Sequence, residues 1–372
     1  MMIDRRRFLA GTATAASLNW FSSSLSAADP VGTGMIGTGN RGAWVLKVIL
    51  EQPEARVVAL CDIKPDRLDK AASAASRDNP TTYKDYRQLL ERKDVEAVFI
   101  DTPCDLHAEM AMAALKAGKH VYCEKPVGIT PESIGQLLKL ARATKRVFCV
   151  GQQMRSFSSI KTVINKIHEG IAGEVIMLKV QRHASWDLDH NGSSAEWFFN
   201  AKRSGDVIVE MAVHNLDVCN WIIGKHPEQA AGYGGALLWK NDPPGRTNMD
   251  GYALTYEYPG GIPVSFTQVF FHPSGLPGGG QYFYVYGTKG AVDVDGGTFY
   301  PLEKGAQPVV LAEQEKERDA PHVAAFYEAI RTGKKPPADI EIGVTAALTA
   351  ILGREAIYRR KTMSWSELGV PI

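Results

Sequence analysis

The chain of 372 residues is 45% hydrophobic and 22% charged, which gives length for two packed domains and excludes a disordered polypeptide. Its 42 Lys and Arg nearly balance 41 Asp and Glu, with no long basic run and no basic-aromatic interleaving, so the sequence points to neither nucleic acid nor an anionic membrane as a partner. Five scattered cysteines without C-x-x-C spacing read as buried small hydrophobes.

In chain order, Arg5, Arg6 and Arg7 stand directly before Phe8 and Leu9. An Ala/Ser/Thr-rich stretch follows and ends in Ser26-Ala27-Ala28, a small-x-small cleavage pattern. This is the pattern of a twin-arginine signal peptide over residues 1–28, implying export to the periplasm or another space outside the cytoplasm. Asn19 and the run Ser22 to Ser24 leave the stretch too short and too polar to span a membrane. From residue 29 to about 150, short apolar runs ("GMIG", "RVVALCD", "EAVFID", "HVYCE", "VFCV") alternate with stretches of helical spacing such as "DLHAEMAMAALKAGK". That alternation predicts an α/β domain with a mostly parallel sheet. Over residues 151–372 strands follow strands. "GEVIMLKVQRHA" and the pairs "GYALTYEY" with "IPVSFTQVFF" and "QYFYVYG" with "GAVDVDGG" predict an α+β domain on an open, mostly antiparallel sheet, with the last helices packing back near the first domain. "VIVEMAVHNLDVCNWIIG" reads as one helix. The long aromatic hairpins of residues 252–295 suggest a homo-oligomer formed through the sheet face.

Three constellations carry chemistry. In "GMIGTGNRGAWVLKVIL", Gly37, Gly39 and Gly42 form G-x-G-x-x-G between a strand and a helix, with Asn40 and Arg41 inside the turn. The pattern suits a dinucleotide whose diphosphate rests on the helix N-terminus. Asp62 ends the next strand 20 residues after Gly42, where a carboxylate accepts the ribose hydroxyls and repels a 2′-phosphate, so NAD is expected rather than NADP. The ends of later strands place Thr102, Pro103 and His107, then Glu124 and Lys125, at the same crevice. Finally, Glu210, His214 and Asp217 fall at i, i+4 and i+7 of an otherwise apolar helix, a stripe that either faces bulk water or lines a cavity; in a cavity it offers a histidine with a carboxylate one turn away, as a general base requires. Nothing in the spacing of this trio, nor in the distant His183 and His190, supports a metal site.

These glycines, "TP-x-x-x-H", "EKP" and the acid-x-x-x-H-x-x-D helix, in this order, resemble the glucose-fructose oxidoreductase, inositol dehydrogenase and rhizopine-catabolism (Gfo/Idh/MocA) family over essentially the whole chain after the signal. The resemblance implies a Rossmann domain followed by a domain that covers the nicotinamide and binds a sugar, glycoside or polyol. It implies that Lys125 hydrogen-bonds the reacting oxygen, that His214 exchanges its proton, and that Arg155 of "GQQMRSF" and Asp217 belong to the substrate site. The family usually carries Asp where this chain has Glu210 and Gly where it has Ala212, so the acid's role here is open. Three activities fit: an NAD-dependent sugar or glycoside dehydrogenase with a tightly held, recycled cofactor; an NAD-dependent glycoside hydrolase working by transient oxidation, elimination and re-reduction; and a non-catalytic sugar-binding paralogue. The resemblance implies that members using the second route lack the EKP lysine, and Lys125 favours the first.

Overall fold

Short apolar runs bounded by Gly, Pro and charged residues become the buried strands of a parallel sheet. The computed structural model of the protein describes residues 29–185, 195–313 and 321–372; the twin-arginine stretch and His190 lie outside the described residues. Strands β1 (Val31–Ile36), β2 (Ala55–Cys61), β3 (Thr81–Tyr83), β4 (Ala97–Ile100), β5 (His120–Cys123) and β6 (Phe148–Val150) are all parallel, in the order β3-β2-β1-β4-β5-β6. Helices α1 (Asn40–Leu50), α2 (Pro65–Ala74), α3 (Tyr86–Glu91), α4 (His107–Lys116) and α5 (Pro131–Arg142) connect them. Every residue of β1, β4 and β6 is buried, the mark of strands covered on both faces. Strand β1 begins at Val31, three residues before the run read from the sequence, because Gly32 packs directly on the Asp94 carbonyl: a Cβ there would sit 1.8 Å from that oxygen. The sheet reverses winding direction between β1 and β4, which opens a crevice at the carboxyl ends of the strands.

After β6 and α6 (Ser158–His168) the chain builds a second sheet from β7 (Val175–His183), β8 (Gln229–Gly235), β9 (Gly251–Tyr258), β10 (Ile262–Val269), β11 (Gly280–Gly287), β12 (Gly290–Asp293), β13 (Thr298–Pro301), β14 (Val309–Val310) and β15 (Met363–Ser364). Its order is β14-β13-β12-β11-β7-β10-β9-β8-β15, antiparallel except for the parallel pair β7 and β10. Period-two alternation sends Tyr252, Leu254, Tyr256 and Tyr258 of β9 inward. The layer above them holds α7 (Ala195–Phe198), α8 (Ala201–Ser204), α9 (Val207–Glu210), α10 (Val213–Ile223) and, after α11 (Pro321–Thr332), the long α12 (Ile340–Arg359). Glycine is required at residue 353 of α12, since a Cβ there would meet the Tyr256 hydroxyl at 2.1 Å. All five cysteines are free and buried.

The stretch Val207–Gly224 is two helices rather than the single one its apolar pattern predicts. In an uninterrupted helix the Glu210 carbonyl would accept the His214 amide. Instead that carbonyl accepts the Lys125 ammonium at 2.6 Å, and the His214 amide turns to Met211 at 3.5 Å. Asp206 fixes the start of α9 at φ 72°, accepting the amides of Val207 at 2.6 Å and Met249 at 3.1 Å.

Both C-terminal helices bind the first domain. Gly343 of α12 lies against Val150 and Val127, and the Val150 amide donates to the Ala338 carbonyl at 2.8 Å. From α11, Val323, Phe326 and Tyr327 enter the core of the parallel sheet, with Phe326 edge-on to Phe99 at 5.3 Å and the Tyr327 hydroxyl 2.9 Å from that of Thr33. Phe326→Ala, which empties this aromatic nest, is expected to lower unfolding stability by about 3–5 kcal/mol, read by urea denaturation.

Candidate active site

The crevice is a cleft of about 640 Å³ between the carboxyl ends of β1, β2, β4 and β5 and the helical layer of the second domain. At its floor, Gly37 turns the chain at φ 91°, where a Cβ would strike the Asp101 carbonyl at 2.5 Å. Gly42 seats α1 on that turn, a Cβ there falling 2.1 Å from the Gly37 oxygen, and it lies behind the cleft surface. Gly39 caps α1 without a side-chain acceptor, so the amides of the first turn stay open to an anion. Asn40 is exposed at that helix start. Asp62 faces the cleft with Oδ2 held by the Thr38 amide at 2.8 Å and hydroxyl at 3.1 Å, and Oδ1 by the Lys64 amide at 2.9 Å. Its carboxylate is thereby oriented: Oδ2 accepts two hydrogen bonds, and Oδ1, which accepts one, keeps acceptor capacity.

Arg41 leaves the glycine turn to bind Glu124 at 2.8 Å and stacks over Trp44 at 4.5 Å. Burial pushes the Glu124 carboxyl up, but Arg41 and Lys125 outweigh it and hold the group below its ordinary value. Asp101 is displaced the other way: burial, then the neighbouring Glu124, push its carboxyl well above its ordinary value. Thr102 and Pro103 line the cleft beside it. His107 lines it too, but its ring is engaged by the scaffold, Nδ1 with the Pro126 carbonyl at 2.6 Å and Nε2 with the Thr102 carbonyl at 2.8 Å. Burial holds the imidazole below its ordinary titration, so the neutral ring carries one N–H and donates to one of these two carbonyls, joining the two strand-end loops from the cleft wall.

Across the cleft Lys125 clasps Glu210 through the carboxylate at 2.8 Å as well as the carbonyl, which leaves one ammonium N–H for a ligand. His214 faces the same space. Its Nδ1 lies 3.0 Å from Gln152 Oε1, an acceptor, so Nδ1 carries the proton and Nε2 keeps its lone pair. Burial first, then the charges of Lys125, Arg182 and Arg41, hold the imidazole well below its ordinary titration, so it is neutral. The predicted carboxylate partner is replaced by this amide, because the break after Glu210 rotates the acid away toward Lys125. The third member of the predicted stripe is also diverted: Asp217 receives Arg155 through three hydrogen bonds of 2.8 to 3.1 Å, and neither residue lines the cleft.

Residues 31–152 match the model of the Gfo/Idh/MocA oxidoreductase family with its NAD-binding Rossmann fold, and residues 160–293 match that of the family's C-terminal domain. The chain belongs to the Gfo/Idh/MocA oxidoreductase family. It is 26% identical over 320 residues to a 2,7-anhydro-N-acetylneuraminate hydratase of Mediterraneibacter gnavus, spanning 82% of this chain and 81% of that relative. A glycosyl hydrolase family 109 protein of Saccharopolyspora erythraea is 34% identical over 156 residues, 40% of this chain and 34% of the relative. The fold is shared with a levoglucosan dehydrogenase solved in complex with NADH, at TM-score 0.79 and 19% identity, over 92% of this chain and all of that one, 100%.

Arg182, Arg203 and the aromatic run Trp197 to Phe199, which line this Gfo/Idh/MocA cleft, and the buried Gln152 that holds His214 escaped the sequence reading. Gln152 carried a signal, standing just past the end of β6 where the other strand-end residues converge. Arg182 sits inside an ordinary strand pattern. Among the described residues no cluster of His, Cys, Asp and Glu is arranged to hold a metal ion. Nitrogen-15 titration of His214 is expected to show a neutral ring still present below pH 6.5, and Lys125→Met is expected to move its pKa upward, since one cation opposing the imidazolium is removed.

Proposed function

We propose that this oxidoreductase oxidises a secondary hydroxyl of a sugar, glycoside or polyol with a tightly held NAD. The observation that carries the reading is the placing of a neutral His214, with its free Nε2, in one cleft with Lys125 and an uncapped glycine turn. The site fits a dinucleotide: the open α1 amides would receive the diphosphate, and Asp62, preset by Thr38 and Lys64, would accept a ribose hydroxyl and disfavour a 2′-phosphate. When bound, NAD supplies the hydride acceptor. His214 Nε2 takes the hydroxyl proton, and Gln152 steadies the ring through Nδ1. The remaining Lys125 N–H donates to the same oxygen and stabilises its developing negative charge, while Glu210 keeps the ammonium aimed. Lys125→Met and His214→Ala are each expected to lower turnover by roughly two to four orders of magnitude. Mass spectrometry of the denatured variants should find as much co-purified NAD as in the parent; loss of NAD would make these residues part of the cofactor site instead.

The similarity to a family 109 glycosyl hydrolase supports a second route through the same groups, in which the ketone made by oxidation acidifies a neighbouring C–H, the aglycone leaves, water adds and the ketone is reduced back. In both routes protein purified without added NAD turns over a donor and acceptor pair, or a glycoside, many times per site. We infer export from the twin-arginine pattern of residues 5 to 9: a folded protein that already holds its cofactor suits this path. Replacing Arg5, Arg6 and Arg7 by Lys is expected to leave unprocessed precursor in the cytoplasm, read by fractionation and immunoblot. The outer face of the second sheet, where Ile176, Met177, Tyr286 and Tyr300 are exposed beside the stacked rings of Tyr282 and Tyr284, supports packing against a second copy.

A further inference from the structure

The positive side chains around the substrate end of the cleft are not equally matched. Arg41 has Glu124 at 2.8 Å, and Arg203, reaching over from α8, has Asp105 at 3.1 Å. Lys125 has Glu210 at 2.8 Å. Arg182, projecting from β7 into the same cleft, has only the Met211 carbonyl at 3.4 Å, and among the described residues no carboxylate lies within ion-pair distance of it. Glu210 is the acid whose charge reaches Arg182, and it is already committed to Lys125. With His214 neutral, Lys125, Arg182 and Glu210 together carry one surplus positive charge.

This surplus is set beside a wall of Trp197, Phe198, Phe199 and Met211. Away from bulk water an unmatched guanidinium is costly, and burial pulls Arg182 below the usual guanidinium range. A ligand that brings one negative charge relieves that cost. The guanidinium fork matches a planar carboxylate through two parallel hydrogen bonds, a geometry that a lone hydroxyl cannot satisfy.

We propose that Arg182 selects an acidic sugar, one whose carboxylate seats on its guanidinium while a ring hydroxyl lies against Lys125 and His214. The proposal rests on the sugar oxidoreductase reading above and deepens it. Substrate specificity is then set by charge at the β7 end of the cleft, and the aromatic wall strengthens the pair by excluding water.

Matched pairs test it: D-glucuronate against D-glucose, D-galacturonate against D-galactose, and their methyl glycosides. Each is titrated calorimetrically into the protein as purified and assayed in parallel by the fluorescence of bound NADH. The acid is expected to bind about tenfold or more tightly than its neutral partner, the range of one charge-assisted bidentate contact. Arg182→Met should bring that ratio close to one, and Arg182→Lys, which keeps the charge without the fork, should lower it severalfold. Equal or tighter binding of the neutral sugars overturns the proposal, as does an acid preference that survives both substitutions. If Arg182→Met fails to fold by circular dichroism, the Arg182→Lys ratio decides. Because binding is read apart from turnover, an acid preference without any NADH signal would sustain the charge selection and overturn the oxidoreductase reading, whereas turnover of neutral sugars alone would do the reverse.

Discussion

One ammonium group organises this protein. Lys125 ends a buried strand of the Rossmann sheet and reaches across the cleft to take both the carbonyl and the carboxylate of Glu210. The first contact removes the acceptor that α9 needs to run on into α10, so the helix breaks at the place where His214 must face the cleft. The second holds a charged pair whose side chains are each only 15% exposed. Such a pair is a poor source of net stability, since desolvation offsets the Coulomb gain, but separating its members strands a charge in a dry setting. The clasp therefore works mainly as a register mark between the two domains.

The other links across the domains support that register. Arg203 meets Asp105, α11 fills the face of the parallel sheet with Phe326 and Tyr327, and α12 runs from the second sheet to Val150. With the cleft walls held from several sides, the titrations inside it separate. His214 is kept neutral by burial and by the cations around it, Glu124 is kept ionised by Arg41 and Lys125, and Asp101 is pushed up by burial and by Glu124. A base without a proton and a cation with a spare N–H are thus preset in one space, which is what proton removal and alkoxide stabilisation require.

Glu210 explains itself in this frame. The resemblance left open why a longer acid stands here. The structure gives it a task on the protein side: its carboxylate meets Lys125 at 2.8 Å from a helix whose last carbonyl is held by the same ammonium. The acid aims the lysine, and His214 relies on Gln152 for its orientation.

Local pattern was enough for the parts of this protein governed by neighbours in the chain. Buried apolar runs between glycines and charges specified the parallel strands, Gly37 and Gly42 specified the tight turn and the close seat of α1, and the aromatic alternation of residues 251–269 specified a hairpin. Strand ends were legible as well, because in a doubly wound sheet every carboxyl end meets the same crevice, and that alone brought Asp62, Thr102 and Lys125 together. Side-chain partnership was not legible. Periodicity placed Glu210, His214 and Asp217 on one face of one helix, yet Lys125 breaks the helix and Arg155 claims Asp217. The fate of each polar group depended on a partner more than 60 residues away, Lys125 for Glu210, Gln152 for His214 and Arg155 for Asp217, and no local spacing encodes them. Arg182 is the clearest case: in sequence it is one polar residue of an alternating strand, and only the folding of β7 beside Met211 and Glu210 gives it a position where its charge is unmatched.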